Sequence, residues 1–363
     1  MRKHKELAAL LLVGVLLSGI VSAAATGAGS ASDPLIVLSW LKEHFIPNTE
    51  EDINDQIDDR FDQLEDMLLS AGAEGLEFRV KRGDVLRLES GSGLTNLAGT
   101  LSATASGAVL DVTTGEELTS GVETVERDHR YLVAEKSQAA FSVTSDTAVI
   151  RVTGLYQIEL SQETDYNALA DALYAMGLFK GSTTPYGSGY NLENRPSRTE
   201  GLIMFLRLLG EEQAALDYSG STVTFLDVPK WALPYVSYAY SKGYTKGMKA
   251  TDEGVTFGSS EVMAPRDYVT FLLRALRYTE GTDFNWKDAI DDAATLGVLT
   301  EGERTLLTEH PFLRAQVVYL SYFTLSTSIA EGESTMVDRL IASGAVDAST
   351  VNGAMADITE SRL

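Results

Sequence analysis

The 363-residue chain contains no cysteine. Disulfides, thiolate nucleophiles and cysteine-ligated metals are excluded, so the fold has to rest on burial alone. Histidine is scarce as well. The four stand apart at positions 4, 44, 129 and 310, without metal-ligand spacing, and no metal site or cofactor is expected. His129, in a turn after Glu126 and Arg127, reads as surface decoration. No Gly-x-Ser-x-Gly elbow occurs, and Gly187-Ser188-Gly189 lacks the Lys-Ser/Thr of a phosphate loop. Paired carboxylates are plentiful in so acidic a chain and carry no weight. Long apolar runs are missing after residue 21, so no later segment is predicted to span a membrane. Positive charge is in short supply: 29 Lys and Arg stand against 52 Asp and Glu, for a net charge of −23. Nucleic acid is disfavoured as a partner, because its binding depends on neutralising phosphates. These absences point away from an enzyme.

What is present begins with an export signal over residues 1–25. Arg2, Lys3 and Lys5 lead into an apolar stretch from Leu7 to Val21, followed by Ser22-Ala23-Ala24-Ala25. The expected product is a secreted protein, outside the membrane once the signal is cleaved. Residues 26–75 read as a linker and an acidic amphipathic helix. Thr49 caps it, and Ile53, Ile57, Phe61, Leu64 and Leu68 form a narrow stripe at spacings of 4, 4, 3 and 4. Such a stripe either packs on the chain's own body or makes a homo-oligomer through residues 49–70.

Residues 76–160 change period. Short β-branched or aromatic runs such as Val85-Leu86-Arg87-Leu88, Arg130-Tyr131-Leu132-Val133 and Ala148-Val149-Ile150-Arg151-Val152 alternate with turn signals. A small all-β barrel or sandwich is predicted. From residue 164 the pattern is helical. Segments begin near Thr164, Arg198, Trp231, Asp267, Lys287, Arg314 and Thr335, and glycines end several of them. Residues 331–363 are expected to hold one helix and a tail, with Glu360–Leu363 fraying.

The helical part repeats itself three times, over about 161–217, 222–280 and 281–330. Each copy has a glycine closing one apolar helix, a turn region, and then an arginine opening the next. The first runs from Gly177 and Gly181 to Ser197-Arg198-Thr199-Glu200. The second runs from Phe225-Leu226-Asp227-Val228-Pro229, Trp231 and Tyr235-Val236 through Ala239, Gly243 and Gly247 to Pro265-Arg266-Asp267. The third keeps Trp286, Ala289, Gly297 and Leu313-Arg314-Ala315-Gln316. This order of residues resembles the S-layer homology (SLH) domain, over somewhat less than half of the chain. Asp267 and Gln316 depart from the family motif, Gly201 interrupts the first motif helix, and the third copy lacks a second glycine after Gly297.

The resemblance implies a C-terminal, all-α-rich three-repeat bundle of SLH type, which with the N-terminal acidic helix and the small β domain makes a multidomain α+β protein at the cell wall or cell surface. It implies non-covalent anchoring to an anionic, for instance pyruvylated, secondary cell-wall polysaccharide. Arg198, Glu200, Arg266, Arg314, Trp231, Gly181 and Gly247 are the ligand-binding residues it points to. Arginine suits that role because its planar fork matches a carboxylate. Gly181 and Gly247 would let the backbone approach a ligand, and Trp231 and Trp286 either stack on a sugar or fill the core. The alternative is a structural or assembly surface protein whose repeats no longer bind sugar and which oligomerises through its acidic helix.

Overall fold

A computed structural model describes residues 75–363, apart from 119–120, 182–187, 221–222, 331 and 333. The export signal, the linker and the acidic helix with its residues 49–70 lie outside the described residues.

Alternation builds the first half. In β2 (Val85–Leu88) Leu86 and Leu88 are buried while Arg87 faces water, and β9 (Gln138–Val143) alternates likewise around Phe141. With β1 (Leu76–Lys81), β3 (Gly93–Ala98), β4 (Leu101–Ser106), β5 (Val109–Asp111), β6 (Glu116–Leu118), β7 (Val122–Val125), β8 (Arg130–Val133), β10 (Thr147–Thr153) and β11 (Tyr156–Glu159), they form two antiparallel sheets. The six-stranded sheet has the order β1-β10-β3-β8-β5-β6, and the five-stranded sheet β11-β2-β9-β4-β7. Leu86 and Phe141 from one sheet meet Leu94, Tyr131 and Ile150 from the other in a single core. Tyr131 keeps its hydroxyl satisfied there by accepting the Glu126 N–H at 2.8 Å.

At one end of this core Asp111, 7% exposed, accepts the N–H groups of Thr113 and Thr114 and lies 2.6 Å from His129 Nδ1. His129 is thus part of a fixed pair and not decoration. Burial by itself would raise the Asp111 carboxyl; the bonds from His129 and the two backbone amides outweigh it and hold it below the usual carboxylate range. A depressed folded value stabilises the protein above that range and loses its contribution as pH falls through the folded value. Melting midpoints of Asp111→Asn should therefore depend less on pH than those of the wild type below about pH 4, as followed by circular dichroism.

Ten helices follow among the described residues: α1 (Tyr166–Ala175), α2 (Arg198–Leu208), α3 (Glu212–Leu216), α4 (Leu233–Ser241), α5 (Pro265–Ala275), α6 (Ala289–Thr295), α7 (Glu301–Glu309), α8 (Arg314–Thr324), α9 (Met336–Ala342) and α10 (Ala348–Ala356). Between α4 and α5 lies a hairpin of β12 (Lys249–Thr251) and β13 (Gly254–Thr256). The expected C-terminal all-α bundle is therefore corrected. The helices are only 5 to 11 residues long, with a hairpin and extended segments among them. The reason is local: glycines at positive φ, among them Gly177, Gly210, Gly243 and Gly297, end the helices after two or three turns. Capping boxes fix the starts of α2 (Ser197/Glu200), α7 (Thr300/Glu303) and α9 (Thr335/Asp338).

The tail does not fray. Arg362 lays both arms of its guanidinium on Glu303 at 2.7 and 2.8 Å, and the Leu363 N–H donates to the Tyr319 hydroxyl. Residues 75–363 form one compact unit. Among the described residues, no helix is long and apolar enough to cross a membrane.

Candidate functional site

The helix starts of two copies are threaded onto the neighbouring copy. Ser197 forms a bridge with Val262, the Arg198 N–H donates to Glu261 O at 2.8 Å, and the Thr199 hydroxyl donates to Ser259 O at 2.9 Å. The first copy's α2 thus begins alongside the second copy's chain. The third copy's α8 does the same with the first: Arg314 N–H donates to Asn194 O and Ala315 N–H to Leu192 O. This threading decides where Arg198 and Arg314 end up.

Arg198 passes into a pocket of the second copy. The pocket encloses about 240 Å³ and is lined by Arg198, Lys246, Gly247, Arg266, Arg274 and Trp286, with Met248, Asp267, Thr270, Phe271 and Glu280 completing the wall. Arg266, Thr270 and Arg274 follow one another at i, i+4 and i+8, so α5 turns one face to it. Arg198 Nη1 is 2.6 Å from Asp267 Oδ2, and its guanidinium lies over the rings of Phe257 and Phe271. Its Nε, although buried, has no hydrogen-bond partner among the described residues. Asp267, a departure from the family motif, is thus the partner of the first copy's arginine.

Glu280 is shared between Lys246 and Arg274, each at 2.7 Å. Burial would raise its carboxyl, but the hydrogen bonds from the two cations outweigh this and hold it below the usual range. Four cations against two carboxylates leave the pocket positive in an otherwise acidic protein. Arg266 is the cation without a carboxylate partner among the described residues. Its guanidinium stacks on Trp286 at 5.2 Å, and Lys287 lies 5.9 Å from the same ring. Cation and aromatic face side by side suit an anionic group carried on a sugar ring. Gly247 stands at φ +74, where a Cβ would come within 2.3 Å of Val255 Cγ1 and 2.9 Å of Thr256 O. Only glycine fits where the chain turns into β12.

The other expected residues go elsewhere. Glu200 and Trp231 line a second, wider groove with Ser197, Thr199, Asp227 and Ser259. Trp231 is 62% exposed there and so does not fill the core. Asp227 is occupied by the N–H groups of Phe257, Gly258 and Ser259. Arg314 is 3% exposed, its nearest carboxylate, Glu200, is 3.8 Å away, and its Nε is without a partner among the described residues. Burial lowers the Arg314 pKa, opposed by Glu200 and Glu193 and reinforced by Arg207. It therefore has no open groove of its own. Gly181 is required by packing: a Cβ there would meet the Tyr190 ring at 2.7 Å. Gly201 has the same kind of reason, since a Cβ would fall 1.9 Å from Met263 Sδ.

Lys246 and Arg274 escaped the sequence reading. Lys246 adjoins Gly247, and Arg274 repeats Arg266 two helical turns on, so the spacing shows both. Nothing local marked Glu280 as their partner. Among the described residues, no group of three His, Asp or Glu could hold a metal ion. No family model matches the chain, and no curated protein matches it either.

Proposed function

We propose that the repeats bind an anionic secondary wall polysaccharide non-covalently, and that the protein is thereby held at the cell wall after export. The observation that supports this reading is Arg266, a guanidinium without a carboxylate partner among the described residues, stacked on Trp286 in a positive pocket of a chain with net charge −23. A carboxylate on the terminal sugar would take the Arg266 fork, with Lys246 and Arg198 adding charge and Trp286 offering its face to the ring. The role is binding and positioning, not catalysis.

The test is co-sedimentation of the protein with purified wall sacculi, before and after the secondary polymer is stripped. Binding should require the polymer and weaken with salt. Arg266→Ala should reduce affinity by about tenfold or more, the scale of one charge-assisted bidentate bond. Arg304→Ala, on the exposed face of α7, should leave it unchanged. Binding that survives both stripping and Arg266→Ala would sink the proposal. Failure to bind intact sacculi would move attention to the assembly role of residues 49–70.

A further inference from the structure

Gln316 occupies, in the third copy, the position held by Glu200 in the first. In α2 the Glu200 Oε2 accepts the Ser197 N–H at 2.7 Å and closes the cap. In α8 the Gln316 Oε1 accepts the Leu313 N–H at 2.9 Å, so the amide oxygen does the same work. The amide NH2 remains, and it donates to Asp146 Oδ2 at 2.7 Å. Asp146 belongs to the turn between β9 and β10, 170 residues away in the chain. Its other oxygen is held by Arg82 at 2.7 and 3.2 Å. Gln316 is fully buried at this junction. Tyr166, at the start of α1, lies beside it; burial and the nearby Asp146 push its hydroxyl up to about 12.

We propose that the start of α8 is the docking face for the chain's own β region and that Gln316 specifies the fit, so that the third copy serves internal attachment. A glutamate would preserve the cap but set a buried carboxylate against Asp146. Glutamine caps with one end and donates with the other, and neither glutamate nor an apolar residue does both. Two flanking contacts widen the junction. Arg79 forks onto Asp171 of α1 at 2.8 Å for both arms, with the Tyr190 hydroxyl on the same carboxylate, and Glu77 accepts from the N–H and hydroxyl of Ser188. Both come from the first copy and lie outside its helix-start motif, whereas Gln316 joins the β region through the motif position itself. The corollary that the third copy is unavailable to ligand rests on the polysaccharide reading; the docking does not.

The experiment compares the wild type with Gln316→Glu, Asp146→Asn and the double variant, by thermal unfolding and by limited proteolysis at residues 160–165 between β11 and α1. Leu160 is exposed there. Gln316→Glu should lower the melting midpoint by about 5 °C or more and open cleavage at 160–165. The double variant should return to the midpoint and protease resistance of Asp146→Asn, because the amide introduced at position 146 can donate to the new carboxylate. A Gln316→Glu midpoint within about 1 °C of wild type would overturn the proposal. So would a double variant as weak as Gln316→Glu, which would locate the defect in the helix start. If Gln316→Glu does not accumulate, the double variant decides the matter: equality with Asp146→Asn supports docking, and a deficit of about 5 °C refutes it. None of these readouts uses the wall polymer, so loss of sacculus binding and loss of docking are separable.

Discussion

Replacing Arg362 by alanine should destabilise the protein by about 3 kcal/mol, towards the lower end of what breaking a buried ion pair costs. Glu303 is completely buried, and both its oxygens receive Arg362 at 2.7 and 2.8 Å. One of them also accepts the Thr300 N–H that starts α7. Removing the guanidinium leaves a carboxylate in the interior with a single backbone donor. Arg362 reaches solvent on one side, at 29% side-chain exposure, which lets water in and keeps the cost from the top of the range. Urea denaturation measures the loss. Adding Glu303→Gln should recover most of it, since a neutral amide tolerates burial far better than an unpaired charge. A loss below about 1 kcal/mol would mean that the tail contributes no more than a surface ion pair.

Phe205→Ala should cost about 3 to 5 kcal/mol, because the deleted ring sits where two copies meet and its neighbours cannot collapse into the space. Phe205 is fully buried in α2, 5.3 Å from the Phe271 ring of α5 and edge-on to Tyr244 at 5.2 Å. Tyr244 is tied in turn to Glu211 through its hydroxyl, and its carbonyl accepts from Arg274 in the cationic pocket. The same substitution should therefore loosen the pocket wall and weaken sacculus binding, while Phe205→Leu should retain most of both. Equal stability of Phe205→Ala and wild type by urea denaturation would show that the copies are not joined through this cluster.

Parts of the fold were legible because the chemistry was local. Strands β2, β5, β8, β9 and β10 announce themselves through β-branched and aromatic alternation. Strands β3 and β4 do not: Gly93-Leu94-Thr95-Asn96 and Ala103-Thr104-Ala105-Ser106 are small and polar, and they become strands because β10, β8 and β9 present hydrogen-bonding edges to them. Helix α7 carried a readable cap in Thr300 and Glu303, but its apolar content, Leu306 and Leu307, is too thin for periodicity to reveal it. The hairpin β12–β13 lies inside the second copy, and its strands of 3 residues each are too short for alternation to show.

For the site, the threefold recurrence, the helix-opening arginines and the glycines that end helices can be read along the chain, because each depends on residues within a few positions of one another. That pattern alone could not say which of Arg198, Arg266 and Arg314 stays available: all three lie at a helix start, Arg198 and Arg314 first in theirs and Arg266 second, after Pro265. Tertiary structure divided them. Arg198 is drawn onto Asp267, Arg314 is buried where its backbone N–H joins Asn194, and Arg266 is left facing Trp286. The availability of a charge depends on which carboxylate or segment the rest of the chain brings within a few ångströms, and that is a property of long-range packing.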